Sequence, residues 1–542
     1  MRIDRHHVPE QTPSAAIEFV RTRYTEQARA AEAGGLSGVR WLAEVLLDYV
    51  GARTVEIDPA VEQRETWFAL RSAVILQRDF VRGQAAGKHT DCYANAQYAS
   101  HYFRFTKMDG PALTAAEWTA AWWPAVSVRF ENVVEQLAQL CPADHAEGQA
   151  LVALWSGRPV RAETLDGDTG AAVRAIASRD ADGFDTALAA VLRRHREQSE
   201  TRIRELPHTR YRVLGTDLIA WEAVGLAALA HRAGMPLGVE SAYLPSRLVT
   251  GAGPLLPVAD GRPITRPPFD ADRAAQWLER FEASGEQQRS IEHAVALQES
   301  DRYRFNGIFR IASESCTAQA YRSVLDPRAE DPRTWSAFVL AAEAAAQAFR
   351  LVSFAPGTMV PITLAGRTGD VPALELAKSY AGTGNYLSAV ALAWTARSES
   401  ALEILAAVPD VRHSHDDDPD YQYALAVRAL LRGEDPARFL KAATRPATGA
   451  HIDYAVYLDN PRVRLLERFV DDDHEGFDTA LAEAVALYRD YHSVDKLIDG
   501  EDAQMNVDLL GLACLAADRG FPITVESDYL PRRLIDGAWL AR

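Results

Sequence analysis

The sequence runs to 542 residues, with 58 Lys and Arg against 75 Asp and Glu and a formal net charge of −17. At 48 % hydrophobic and 25 % charged residues it is excluded from the disordered and low-complexity classes. The negative balance speaks against a chain built to grip nucleic acid, whose phosphates would repel it, and suits a soluble protein or one that meets basic partners.

At roughly 150 residues per domain the length allows three or four domains. The N-terminal MRIDRHHVPEQTPSAAIEF has no apolar core with basic flanks, so no secretory signal is expected. Trp118, Trp122 and Trp123, followed by Pro124, make a dense aromatic knot. Tryptophan suits binding hot spots, but the i, i+4 spacing of Trp118 and Trp122 favours a buried helix face. A helix is predicted to open at Asp182, with a stripe through Phe184, Leu188, Val191, Leu192 and His195. The next helix is expected from Asp217 to Ala233. Gly234 and Pro236 follow it, one permitting a left-handed turn and the other forbidding continuation. The apolar run from Ala220 to Val239, broken by His231 and Arg232, is too short to span a bilayer. A short extended piece, Val239-Glu240-Ser241-Ala242-Tyr243-Leu244-Pro245, leads into a last helical turn.

From Thr250 to Asp270 the chain carries Gly251, Gly253, Pro254, Pro257, Gly261, Pro263, Pro267 and Pro268, which reads as a semi-extended linker. Beyond it, Ala337 to Phe349 has helical spacing and composition. Met359 to Arg367, between Gly357 and Gly369, is the best strand signal and predicts a small hairpin with no counterpart in the first half. His413, His415, Asp416, Asp417 and Asp418 offer metal-ligand chemistry, but all lie on one short stretch before Pro419. A structural zinc site needs four ligands in fixed geometry, so a solvated acidic loop is the favoured reading. Asp471, Asp472 and Asp473 precede a second predicted helix at Glu475, where their first use is to complement the helix N-terminus. Its stripe is Phe477, Leu481, Ala484, Val485 and Tyr488. A further helix, Ala503 to Arg519, ends at Gly520 and Pro522 and is followed by Val525-Glu526-Ser527-Asp528-Tyr529-Leu530-Pro531.

The second half therefore repeats the first. Residues 225–248 and 511–534 agree at 15 of 24 positions without a gap, GFDTALA occurs at 183–189 and 476–482, and Thr66–Trp67 returns as Thr334–Trp335. The period is far above that of solenoid units, so each copy is expected to be a domain with its own core. The expected organisation is a helical domain over 1–249, a linker over 250–270 and a second helical domain over 271–542. The fold class is all-α, with at most a small β-hairpin in the second copy. Cys92, Cys141, Cys316 and Cys514 lack CxxC spacing and read as reduced thiols, with Cys514 a small buried hydrophobe.

The run GFPITVESDYLPRRLI behind a Leu/Ala-rich helix resembles the C-terminal signature of the immunity protein 49 family. The Thr334–Trp335 segment, SYAGTGNYLSA over Ser379–Ala389 and Arg5–His6 resemble it too, and copy two is the nearer match. The family tends to place a His followed three residues later by a Tyr at an aromatic helix end. Copy one has His195 and Gln198 there and copy two has Tyr488 and Tyr491, so the pair is intact in neither. The resemblance implies an all-α cytoplasmic bacterial protein that neutralises a cognate toxin of a polymorphic toxin system by stoichiometric binding, without catalysis or cofactor. Charge adds the expectation of a basic toxin domain as partner, with no nucleic acid or membrane. The fused copies suggest a monomer. Candidate partner-binding residues are Asp416, Asp417, Asp418, Asp471, Asp472, Asp473 and Glu526. Glu240, Ser241, Tyr243 and Pro245, with Glu526, Ser527, Tyr529 and Pro531, read as structural parts of the repeated motif. In that reading Glu526 pairs with an arginine such as Arg533 or accepts backbone N–H groups, and Ser527 caps the final turn.

The sequence has no GxSxG, HExxH, GxxxxGK[ST] or strand-linked GxGxxG signature, which lowers the expectation of an enzyme. A helical interaction scaffold without a toxin partner, and an enzyme with a dispersed site, are the alternatives. The latter would show a polar pocket with shifted titrating groups.

Overall fold

The computed structural model describes residues 1–8, 11–107, 112–161, 165–205, 215–296, 304–376, 381–409, 418–446 and 452–540. The chain divides into two compact units, one built on Met1–Leu255 and the other on most of Leu256–Arg542. Both are helical, with only two-stranded sheets among the described residues. No described helix is long and apolar enough to cross a membrane.

Unit one opens with β1 (Arg2–Ile3). Helices α1 (Gln11–Ala31), α2 (Leu36–Glu56) and α3 (Arg64–Ala85) follow and pack in sequence, α1 on α2 and α2 on α3. A hairpin comes next, β2 (Asp91–Ala96) against β3 (His101–Thr106). Then come α4 (Ala115–Ser127), α5 (Glu131–Gln139), α6 (Ala146–Trp155), α7 (Gly167–Ser178), α8 (Ala181–Glu205), α9 (Gly215–Leu218) and α10 (Trp221–Arg232). The unit closes with β4 (Glu240–Ser241), which pairs parallel with β1, and α11 (Ser246–Thr250).

The hairpin corrects the expectation that copy one has none. Its burial alternates as a half-buried sheet requires, with Cys92, Ala94, Ala96, Phe103 and Phe105 inward. DCYANA has no β-branched residue and the turn has no Asn-Gly signal. The reversal relies instead on Ser100 in the left-handed region at φ 49°. The helix expected from Asp217 is broken: α9 ends at Leu218 and α10 starts at Trp221. Gly215 lies against α2 so closely that a Cβ would sit 2.0 Å from the Leu47 carbonyl oxygen. The tryptophan knot is core, as the spacing favoured. Trp118 and Trp122 are fully buried, their rings stack at 4.8 Å, and the Trp118 indole donates to the Leu137 carbonyl at 2.7 Å.

Unit two has α12 (Ala271–Ser284), α13 (Glu286–Ala296), α14 (Arg304–Leu325), α15 (Pro332–Leu351), the hairpin β5 (Met359–Leu364) and β6 (Arg367–Pro372), and α16 (Thr383–Ala396). It continues through α17 (Glu399–Ala407), α18 (Pro419–Leu431), α19 (Ala437–Ala443) and α20 (Ile452–Tyr454), whose end widens into a π turn over Ala455–Asp459. The last helices are α21 (Asn460–Val470), α22 (His474–His492), α23 (Val507–Asp518) and α24 (Arg532–Ile535). The twin of the broken helix thus starts at Val507 and not at Ala503.

The order of elements repeats. α2, α3, hairpin, α4 and α10 in unit one correspond to α14, α15, hairpin, α16 and α23 in unit two. α10 packs on α4 as α23 packs on α16, and α8 on α7 as α22 on α21. The predicted stripes are the buried faces: Phe184, Leu188, Val191 and Leu192 in α8, and Phe477, Leu481, Ala484 and Val485 in α22. The caps sit slightly upstream of the expected starts, where Asp180 accepts from the Gly183 amide at 3.0 Å and Asp473 from the Gly476 amide at 2.9 Å. Gly234 at φ 76° and Gly520 at φ 92° make the predicted left-handed turns.

Candidate functional site

The repeated Glu-Ser-x-Tyr-Leu-Pro motif comes first, because it holds the ends of each unit together. In unit two the Ile264 amide donates to the Glu526 carbonyl at 2.9 Å, and the Ser527 hydroxyl donates to the Ile264 carbonyl at 2.6 Å. Ser527 Oγ also accepts from the Tyr529 amide at 3.2 Å, so it caps the 527–530 turn and not the helix, whose N-cap is Pro531. Tyr529 is buried, and its hydroxyl donates to the Ala503 carbonyl at 3.0 Å. Glu526 itself is exposed, and among the described residues it makes no ion pair with Arg533. The motif uses its carbonyl and leaves the carboxylate in water.

Unit one repeats the arrangement. Ile3 pairs with Ser241, the Glu240 amide donates to the Met1 carbonyl at 2.8 Å, and Ser241 Oγ accepts from the Tyr243 amide at 3.2 Å. Tyr243 is buried and its hydroxyl meets His6 Nδ1 at 2.5 Å, while Pro245 is the N-cap of α11. Two residues after each paired isoleucine stands an arginine. Arg5 donates to the Ala242 carbonyl, and Arg266 donates to Ser323 Oγ at 2.7 Å and to the Gln504 carbonyl at 3.0 Å. This Ile-x-Arg repeat at 3–5 and 264–266 is legible in the sequence, though its second copy is masked by the proline-rich stretch around it.

Unit two also holds a cavity of about 740 Å³. It is assembled from α14, α16, the start of α18, the π turn, α21, α22 and the start of α23. The described residues that line it include six carboxylates, Asp418, Asp420, Asp459, Glu501, Asp502 and Asp508, and one cation, Arg462. Arg462 is held at 2.6 Å from Asp420, 3.1 Å from Asp459 and 3.7 Å from Asp508, and its guanidinium lies 4.9 Å over the Tyr423 ring. Arg445 backs the same carboxylates, at 2.9 Å from both Asp420 and Asp459. Tyr454, Tyr457, Tyr488 and Phe309 supply aromatic wall.

The electrostatics follow from that crowding. Burial raises the Asp459 and Asp508 carboxyls above the usual range, with Arg462 pulling both back. Burial and the charge of Asp508 raise Asp502. Asp508 and Asp459 raise the Arg462 guanidinium even though burial opposes them. Each carboxylate here gains from a further positive charge. Cys316 also lines the wall, but burial pushes its thiol up to about 12, which keeps it protonated and inert as a nucleophile. Cys514 is fully buried with its thiol likewise pushed up to about 12, as its apolar neighbours implied. No group of described residues is arranged to hold a metal ion.

Among the described acidic candidates only Asp418 lines this cavity. It caps α18, accepting from the Asp420 amide at 2.9 Å. Asp416 and Asp417, with His413 and His415, lie outside the described residues. Asp471 and Asp472 are exposed, and Asp472 stands 3.8 Å from Arg519. Asp473 is the N-cap of α22 and pairs with Arg468 at 2.9 Å, so its first use is structural. Asp420, Asp459, Arg462, Asp502 and Asp508 were not anticipated. The i, i+3 spacing of Asp459 and Arg462 was the one local signal, and the rest converge only in three dimensions.

The family model described as Immunity protein 49 matches residues 170–248 and 326–534, more than half of the chain, with one segment in each repeat. The second segment includes every carboxylate of the cavity. No curated protein and no solved structure matches the chain.

Proposed function

The chain belongs to the immunity protein 49 family, and on that premise we propose that it binds a cognate toxin domain and blocks it by stoichiometric complex formation, without turnover. The family match in both repeats carries this reading. The net charge of −17 and the carboxylate-lined cavity of unit two support a basic toxin, since complementary charge speeds capture and fixes register. The exposed Asp471, Asp472 and Glu526 are proposed as outer contacts on the same account. We place the protein in the cytoplasm of the producing cell, as a monomer whose two repeats do the work of a dimer, with no nucleic acid, membrane or cofactor.

The test is a pull-down of the tagged full chain from its own producer, read by mass spectrometry. A basic toxin domain recovered in stoichiometric amount is the expected result. A lysate in which the toxin is present but does not co-purify at low salt overturns the reading.

A further inference from the structure

The cavity of unit two has the chemistry of a guanidinium receptor. Its walls join carboxylates to aromatic rings, and that pair of surfaces favours a planar organic cation over a small hydrated ion. Arg462 already shows the mode: one guanidinium shared among Asp420, Asp459 and Asp508 and laid over Tyr423. That internal cation leaves charge uncompensated. Asp508 holds Arg462 only at 3.7 Å, beyond hydrogen-bond distance, and Glu501 and Asp502 add two more carboxylates to the wall.

A second observation is independent of the acidic residues. Thr383, at the start of α16, lines the cavity and is only 9 % exposed, yet among the described residues its Oγ1 has no hydrogen-bond partner. A buried hydroxyl without a partner has lost its bonds to water and gained none in return. As it stands the oxygen is closed off from the cavity, and a turn of the Thr383 side chain would present it to an N–H donor brought in by a ligand. The volume of about 740 Å³ lies in the range of small-molecule sites and takes a whole arginine side chain with part of its backbone. Unit one differs at the matching place. There Glu222, which aligns with Asp508, is held by Arg194 at 2.7 Å, and Arg194 also meets Asp168 at 3.1 Å. In unit two the position of Arg194 is Leu487, and the cation nearest Asp508 is Arg462 on α21, which stands 3.7 Å away where Arg194 stands 2.7 Å from Glu222.

We propose that the unit-two cavity binds a guanidinium group, and that its occupant is an arginine side chain presented by the protein partner. The second half of this statement rests on the proposed toxin-binding function; the first half stands without it.

The experiment is calorimetric titration of the full chain with arginine amide and with citrulline amide, its neutral isostere. Arginine amide is expected to bind at least roughly tenfold more tightly, the scale of one charge-assisted hydrogen-bond pair. Asp502→Asn and Thr383→Val are each expected to weaken it several-fold. Among the described residues Asp502 makes no ion pair, so its variant tests recognition with the Arg462 network intact. Glu403→Gln, at an exposed position outside the cavity, is expected to change nothing. Equal binding of the two amides, or full affinity in Asp502→Asn, overturns the inference. That result leaves the toxin reading untouched, because the pull-down decides it separately.

Discussion

Ile264 lies parallel beside Ser527, bonded through its own carbonyl to the serine hydroxyl at 2.6 Å. Ile3 likewise pairs parallel with Ser241. Each repeat is therefore closed by a strand that precedes its first helix and pairs with the motif near its end. The proline-rich stretch is not free chain throughout, since from Ile264 onward it is built into unit two.

Replacing Ser527 by Ala removes a donor to Ile264 and an acceptor for the Tyr529 amide. The expected loss is about 1–3 kcal/mol, because both partners are left with unmet hydrogen bonds. Urea unfolding of Ser527→Ala checks it, and an unchanged midpoint would remove the motif from the stability account.

Gly511 and Gly225 occupy the same place in the two repeats and let helices approach closely. A Cβ on Gly511 would lie 2.6 Å from the Ala391 carbonyl oxygen, and one on Gly225 would lie 2.4 Å from the Trp123 ring. Gly511→Ala is expected to destabilise by about 1–3 kcal/mol despite the higher helix propensity of alanine. A melting temperature equal to or above the parent would contradict this packing.

Asp473 and Asp471 separate two uses of one acidic run. Asp473→Ala removes the cap of α22 and is expected to cost about 1 kcal/mol. Asp471→Asn is expected to leave stability alone and to slow association with a basic partner, more at low salt than at high. Stopped-flow association rates at two ionic strengths read the second effect.

His6 gives unit one a pH dependence. Its ring is 3 % exposed, and burial pulls the imidazole down to about 4, with Asp217 raising it and His195 and Arg5 lowering it further. Tyr243 and Glu200 also face it. The unfolded chain takes up this proton near pH 6.5 and the folded chain only near 4. Its contribution is therefore full above 6.5 and is lost progressively as pH falls toward 4. His195, lowered by burial, adds in the same direction. His6→Gln is expected to flatten the stability profile between these limits in chemical unfolding. An equal slope in parent and variant would show that His6 does not drive it.

Much of the fold could be read from the chain because period 3.6 marks a buried face wherever it recurs. The stripes through Phe184 and Phe477, the glycine turns at Gly234 and Gly520 and the buried Trp118–Trp122 pair all follow from local spacing. The β2–β3 hairpin could not be read that way, since DCYANA has weak strand propensity and Ser100 supplies a turn that glycine or asparagine usually marks. The cavity was harder still. Asp420, Asp459 and Asp508 come from separate segments and are joined by Arg462, with Arg445 reaching the first two as well, and Asp502 lines the same cavity. Asp418 was singled out for its neighbours on the acidic run, whereas its place in the structure is the cap of α18 at the cavity wall. The charge of −17 indicated the kind of partner to expect and gave no address for it.

The most direct test of the account is to titrate the activity of the recovered toxin domain with the purified full chain. Stoichiometric blocking predicts a linear fall to complete inhibition at one molar equivalent. Undiminished activity in molar excess would contradict the immunity function, and inactivation by a small fraction of an equivalent would contradict a non-catalytic mode.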